Sequence, residues 1–455
     1  MRLLHGMVIG LTLALVVETV YAKVSQQEAD QLGNSLTLFG AEQAGSADKV
    51  IPPYTGGLAV DTSPSGWKKE SGRYIPGPYD DEKPLFSVTG SNFEKYKDHL
   101  TAGTIALLKK YPDYRLDVYP THRSYADSSD FLANCKANAL KATILPDENG
   151  VKDAHSCVPF PIPKSGAEVI WNTELAGNDG PAINSISSEW LIDADGGLTD
   201  LGHIHLIEVT PYEDAKADAV DDGYSVYRII DSLGPPSQVG TKVLIKYAMD
   251  YDRDQQLSWI YTPGQRRTRL APEFAYDTPI ASIGGALNYD EQNMFNGSLD
   301  RYDWKLLGKK EMYVQYNADR VQYAPTDKLF DKNHLINADL SRWELHRVWV
   351  IEATLKNGKR HVEPRRVFYV DEDSWTIVAS DAYDQAGNLF KVGYTPIVPA
   401  WDVASRVPSQ IAYDLGRGTT AALSFDSRPT DRNLSDSKVN TSSFTPGALT
   451  SSGIR

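Results

Sequence analysis

The chain has 455 residues, with 46 Lys+Arg against 60 Asp+Glu, a formal charge of −14 and two cysteines. That acidic balance, with no basic block, excludes nucleic acid as the expected partner. No apolar run beyond the N-terminus reaches membrane-spanning length, and the length allows one large or two ordinary domains.

In chain order, Met1 to Ala22 reads as a secretory leader. Arg2 precedes the apolar run Met7 to Val17, and Val20-Tyr21-Ala22 fits a small-residue cleavage site. The expectation is an exported protein starting near Lys23, with no cysteine after the cleavage site to carry a lipid anchor. Ser25 with Glu28 has capping-box spacing for a short helix broken at Gly33 and again near Gly40. Val50 to Glu82 is rich in Pro and Gly yet carries Tyr54, Trp67, Tyr74 and Tyr79, which suggests an extended arm laid on a surface. Asn92 to Tyr111 has apolar residues at helical spacing, with Ser91 as N-cap and Pro112 as stop. Another helix is expected over DSSDFLANCKANALKATIL, capped by Ser128 or Ser129, and a short one over Gly166–Glu174. VPFPIP (158–163) is a polyproline-like ribbon that serves as a surface strap, a ligand rim or a docking segment. Cys135 and Cys157 are expected to pair in an oxidising compartment, a closure worth about 3 kcal/mol in the chain-entropy description.

From Pro181 the chain turns to strands. AINSISSEWLID, LTDLGHIHLIEV and GYSVYRIID lead to a hairpin in which Val243, Ile245, Tyr247 and Met249 alternate on one strand and Leu257, Trp259 and Tyr261 on the next. Further strands follow, with turns at Lys356-Asn357-Gly358-Lys359, Asp371-Glu372-Asp373 and Gln385 to Asn388. Short-linked consecutive strands define an antiparallel meander, so the expected class is α+β with a dominant sheet. The expected organisation is a leader (1–22), a helical and extended region packed on the sheet (23–180), the sheet domain (181–430) and a Ser/Thr-rich tail (431–455).

Two sets of motifs carry a resemblance. A strand ending W-x-Y-x-P, an arginine cluster and then D-W-K-L-L-G resemble the periplasmic lipoprotein-carrier (Lol-type) superfamily. LTLFGAEQAGSADKVIPPYTGG, VYPTHR, PFPIPKSGAEVIWN, MFNGSLDRYDWKLLGKKEMYVQYN, RWELHRVWVIEATLKNGKRHVEPRRVFYVDED and FTPGAL are similar to a proteobacterial periplasmic family of unknown function related to those carriers. The resemblance implies a curved, incomplete β-barrel with covering helices. It also implies occurrence beside resistance–nodulation–division (RND) exporters and outer-membrane barrel proteins.

The chemistry-bearing candidates are few. Asp250-x-Asp252-x-Asp254 begins like a calcium loop but lacks Gly at the sixth position, and Tyr261 stands where the closing Glu belongs. His203 and His205 share a strand face without a third ligand. Glu344 and His346 share a face, which suits an ion pair or acid–base work. No nucleophile elbow, zinc-protease motif, phosphate loop or C-x-x-C is present, so no enzyme, metal or cofactor is expected. Arg266, Arg267 and Arg269 have three readings: an anionic head-group contact, a charged strand edge, or a docking patch for an acidic partner.

The leading expectation is a carrier for a lipid or other hydrophobic molecule. Val243, Ile245, Tyr247, Leu257, Trp259 and Tyr261 would line an apolar cavity, with Ile280 to Phe295, including Ile283 and Phe295, as a movable lid. The alternative is a structural adaptor between an inner-membrane exporter and an outer-membrane barrel; a hydrolase built on Glu344 and His346 is the third.

Overall fold

A computed structural model describes residues 24–58, 67–68, 71–73, 75–176, 182–214, 222–331, 335–400, 405–406, 409–435 and 441–453. The expected leader, Met1 to Ala22, lies outside the described residues, as does Tyr74 of the arm.

One sheet organises the chain. Its strands are β1 (Phe86–Thr89), β2 (Arg115–Val118), β3 (Ala182–Ile192), β4 (Leu198–Val209), β5 (Tyr224–Ser232), β6 (Lys242–Ala248), β7 (Leu257–Thr262) and β8 (Arg267–Leu270). They continue with β9 (Tyr302–Gln315), β10 (Trp343–Leu355), β11 (Arg365–Asp371), β12 (Ile377–Tyr383), β13 (Leu389–Tyr394), β14 (Gln410–Asp414), β15 (Thr419–Phe425) and β16 (Arg432–Ser435). The order is β1-β2-β10-β11-β12-β13-β14-β15-β3-β4-β5-β6-β7-β8, with β9 on β10 and β16 on β3. All pairings are antiparallel except the single β2–β10 contact between Val118 and Trp343. The sheet is open, as an incomplete barrel requires. Tyr247 of β6 and Ile377 of β12, far apart in that order, line one small void, so the sheet curls toward itself.

β10 is buried on both faces and carries the centre of the main core. Trp343, Leu345, Val348, Val350 and Ile351 are all nearly inaccessible, and each such side chain contributes about 1.5–3 kcal/mol of burial. The Gly166–Leu175 helix, whose N-cap Ser165 accepts from the Glu168 N–H, packs on β9 and β10. The Ala102–Lys110 helix packs on β12 and β13.

The helix expected over Asn92 to Tyr111 is broken. Two 3-10 turns, Phe93–Lys95 and Lys97–His99, precede an extended Leu100, and the α-helix begins only after Thr101, whose hydroxyl caps the Thr104 N–H. Asn92, not Ser91, holds the N-cap position, but its side chain caps no helical N–H; its Oδ1 accepts from the preceding Thr89 N–H at 2.7 Å. The helix around Cys135 is likewise split into Ser129–Leu132, capped by Ser128, and Cys135–Lys141. Ser25 and Glu28 form the expected capping box, and Cys135 is bonded to Cys157. The Lys356 to Lys359 turn is present, with the Lys359 N–H on the Lys356 carbonyl at 3.1 Å. It is not a tight hairpin, because β11 starts only at Arg365 and the intervening residues carry His361 and Glu363 into the interior.

Candidate functional site

The β6–β7 hairpin does not present its aromatic residues to one cavity. Its register sets Leu244 opposite Trp259, Lys242 opposite Tyr261 and Lys246 opposite Leu257, while Val243 and Ile245 lie opposite Ile260 and Ser258. Directly opposed residues share a face, so Leu257, Trp259 and Tyr261 lie on the face opposite to Val243, Ile245 and Tyr247. The expectation of a single lining is corrected accordingly. On the first face Leu244, Tyr261, Ile229 and Val209 pack with Phe444 and Leu449, and Trp259 joins them; the Pro446–Gly453 helix covers this cluster.

Tyr247 and Phe295 do meet, at a void of about 70 Å³, but most of its other walls are polar, among them Glu174, Glu208, Ser225 and Arg228. Glu208 and Arg228 form a buried ion pair there. Ile283 packs elsewhere, with Leu287, Ala412 and Leu423 on β14 and β15. The expected lid is anchored by buried charge. Lys391 Nζ lies 2.6 Å from Glu291 and 3.0 Å from Glu363, and Asp290 meets Arg366 at 3.0 Å and His361 at 2.9 Å. Arg267 and Arg269 lie exposed on the edge strand β8 and Arg266 precedes it with a left-handed φ of +48°; Arg269 pairs with Glu273 at 2.7 Å. His203 bonds Asp431 and His205 bonds Asn184, so the two imidazoles serve different partners. Asp250 Oδ1 accepts the N–H groups of Asp252 and Arg253, which shapes the turn.

A different place gathers the chemistry-bearing side chains. At one end of β9, β10 and β11, Glu344 accepts from Arg342 Nε at 2.5 Å, Asn317 Nδ2 at 2.9 Å, the His122 N–H at 2.7 Å and His346 Nε2 at 3.2 Å. Four donors fix the position and orientation of this carboxyl group. Tyr316 stacks on His346 with centroids 3.8 Å apart. Next to this pair, Asp373 is held by both arms of Arg123, at 2.8 Å and 2.6 Å, the bidentate geometry that suits guanidinium. Asp371 Oδ2 accepts from Ser374 N, Ser374 Oγ and Tyr316 Oη, and its Oδ1 has no hydrogen-bond partner. Burial, then repulsion from Asp373, pushes the Asp371 carboxyl up to about 7, with His346 opposing.

His346, Asp371 and Asp373 bring one ligand atom each to within 4.8 Å of one another. The donor set suits a divalent cation in kind. However, both Asp373 oxygens already take charged hydrogen bonds from Arg123, so a guanidinium occupies the charge-balancing role a metal would have. The centre is better described as an ion-pair network.

Residues 38–56, which start ahead of the expected Val50 to Glu82 arm, form an N-terminal arm that closes over this network. Trp375 Nε1 donates to the Phe39 carbonyl at 2.8 Å, Arg347 to the Ala44 carbonyl at 3.0 Å, and Lys309 bridges Glu42 and Glu372 at 3.1 and 2.7 Å. Gly40 sits at φ +97°, and a Cβ there would lie 2.0 Å from the Pro161 carbonyl oxygen. The VPFPIP ribbon therefore straps the arm, and only glycine fits the crossing. Between arm and core remains a cavity of about 380 Å³, with Leu38, Phe39, Tyr54, Tyr125 and Leu132 on its walls and Asp127 and Asp373 at polar positions. Tyr54 donates to the Tyr125 carbonyl at 3.0 Å and lies under the Arg123 guanidinium at 5.2 Å. Burial pushes the Asp127 carboxyl well above its usual range.

A family model described as a protein of unknown function, DUF1329, matches residues 87–450. The chain belongs to the DUF1329 family. It is 36% identical over 462 residues to the uncharacterized protein PA3922 of Pseudomonas aeruginosa, covering 98% of this chain and 97% of the other. Among solved structures, a DUF1329 family protein from Desulfovibrio piger matches with a TM-score of 0.42 at 16% identity, over 62% of this chain and 97% of that one. A putative outer membrane lipoprotein-sorting protein domain from Vibrio parahaemolyticus gives 0.42 at 14%, over 62% and 97%. A LolA superfamily protein from Nitrosomonas europaea gives 0.35 at 10%, over 62% and 98%.

In this DUF1329 chain the charged centre draws on segments that sequence reading treated separately: the arm, VYPTHR, the end of β9, RWELHRVWV and the β11–β12 turn. No local spacing joins them. The one available signal is that β10 places Glu344, His346 and Arg347 in the buried first half of a mostly apolar strand, where unpaired charge is too costly to bury. Among the described residues no helix is long and apolar enough to cross a membrane.

Proposed function

We propose that this protein is a periplasmic binding or carrier protein for a hydrophobic molecule that ends in a hydrogen-bond donor, and that it works beside an RND-type exporter. The observation that carries this reading is the cavity between the N-terminal arm and the β11–β12 turn. It is large enough for a small ligand, walled mostly by Leu38, Phe39, Tyr54, Tyr125 and Leu132, and bounded on its polar side by Asp127 and Asp373. An apolar body fills the space between such walls, and a terminal hydroxyl or amine adds a donor to the Asp127 and Asp373 carboxyl groups, which also accept from Tyr125, Ser128 and Arg123. The role is binding rather than catalysis: Glu344 is spent on four donors and His346 is 1% exposed, so neither reaches a substrate. The leader segment and the family resemblance support the periplasmic setting.

The test is native mass spectrometry of protein purified from the periplasm without detergent, followed by solvent extraction. A reproducible added mass that extracts as a hydrophobic molecule supports the carrier. A clean apo mass, unchanged after incubation with envelope lipid extract, sinks it. The adaptor reading rests on the open edge at β8, where exposed Leu270 and the Arg266, Arg267 and Arg269 cluster offer an unpaired strand to a partner chain.

A further inference from the structure

A second cavity lies on the inner face of β6, beneath the loop 271–300, and has the opposite chemistry. Its volume is about 320 Å³, and it adjoins the smaller void at Tyr247 and Asn296, which line both. Tyr247, Tyr251, Tyr276 and Tyr289 line it together with Asp252, Asp290 and Asp300, and the remaining lining, as far as the described residues go, includes no Lys or Arg side chain. Asp252 and Gln255 are exposed at the mouth, whereas Asp290, 4% exposed, forms the floor. Asp290 Oδ2 accepts from Arg366 and His361. Its Oδ1 is buried and has no hydrogen-bond partner among the described residues, an arrangement costly enough to call for an explanation.

We propose that this cavity binds a protonated aliphatic amine. An acid would find no basic side chain in the lining, since Lys359 and Arg366 pair with Asp300 and Asp290 from behind it and Asp252 stands at the mouth; an apolar tail would bury the Asp290 oxygen and the amide oxygens without partners, at a cost for each. An ammonium satisfies them instead. It donates to Asp290 Oδ1 at the floor, tyrosine ring faces attract it through their quadrupoles, and Asp252 at the mouth draws cations from solution. The adjoining void carries Glu174 beside the Glu208–Arg228 ion pair, so a linear di- or triamine finds the Glu174 carboxyl as its acceptor at that end. Enclosure pushes the Glu174 carboxyl up to about 8, and a bound cation would return it to the charged form. This site is separate from the arm cavity and stands whether or not that one carries cargo.

Isothermal titration calorimetry of the mature protein with spermidine, at low and at 0.5 M salt, tests the proposal, with 1,8-octanediol as the uncharged analogue of similar length. The expected result is saturable binding at one spermidine per chain that persists in salt, with none for the diol. Asp252→Asn and Tyr289→Ala should each weaken it at least tenfold. Glu94→Gln, an exposed residue outside this cavity, should leave it unchanged, and circular dichroism verifies that every variant is folded. Absence of saturable spermidine binding overturns the proposal. So does equal affinity in the folded Asp252→Asn and Tyr289→Ala proteins, or equal binding of the diol.

Discussion

Arg123 grips Asp373 through two hydrogen bonds, 2.8 and 2.6 Å, across 250 residues of sequence. Both side chains are only 2% exposed. The pair joins the chain after β2 to the β11–β12 turn and forms part of the boundary between the charged centre and the arm cavity.

Breaking one partner of a buried, hydrogen-bonded pair leaves an uncompensated charge, which costs about 3–5 kcal/mol. Arg123→Ala should therefore lower stability by about that amount in urea denaturation. Asp373→Asn keeps the shape but replaces one of the two Arg123 acceptors with an NH2 group and removes the counter-charge, so it should cost a comparable amount. A loss below ~1 kcal/mol for Arg123→Ala would mean that solvent already screens the pair.

Asp381 gives a pH signature. It accepts from the Gly103 N–H at 2.9 Å and from Tyr369 Oη at 3.2 Å, yet burial dominates and raises its carboxyl to about 7. In the unfolded chain it titrates near ~3.9, so between about pH 4 and 7 the native state binds the extra proton. Stability from this group is therefore fully present below about pH 4 and is lost as pH rises toward 7, at up to about 1.4 kcal/mol per pH unit. Asp381→Asn cannot titrate, and its urea midpoint should fall less steeply over that window. An unchanged slope would show that Asp381 is ionised throughout.

The strands were legible because their alternation is strong, and the β6–β7 hairpin is a clear case. Its facing was not. Val243, Ile245 and Tyr247 on one face compete with Leu244 and Ala248 on the other, and both sets are apolar. Register is specified by hydrophobic pattern only where one face is polar. The broken helix at Asn92 to Tyr111 has a similar cause: helical spacing of Phe93, Tyr96 and Leu100 is also met by 3-10 turns that lay aromatics on the sheet, as Phe86 and Tyr96 do at 4.9 Å. The charged centre was illegible because Glu42, Arg123, Glu344, Asp371 and Asp373 converge only through tertiary structure. The polar inner cavity was missed for the opposite reason: Glu208, Arg228 and Ser225 lie in strands whose apolar residues dominate the pattern.

The C-terminal helix offers a direct check of the corrected facing. Leu449 is 1% exposed and packs with Leu244 and Tyr261, so Leu449→Ala should cost about 2–5 kcal/mol of local stability. Trp259→Asp, on the same face, should release the helix in the same way. Hydrogen exchange should then accelerate across 446–453 while amides near Tyr247 and Asp290 stay protected. Exchange that rises equally around Tyr247 would place Trp259 on the inner face after all.

Leu132 tests the arm cavity without touching its charges. It closes the Ser129–Leu132 helix, is half-buried and contributes to the apolar wall. Leu132→Trp adds an indole to open space instead of a packed core, so the usual overpacking cost of about 1–3 kcal/mol should be mostly avoided. The variant should keep the wild-type urea midpoint but lose any hydrophobic mass that copurifies with the wild type. Retention of that mass at wild-type occupancy would show that the molecule sits elsewhere, whereas a fallen midpoint with the mass retained would show that the indole cannot enter a cavity already filled by it.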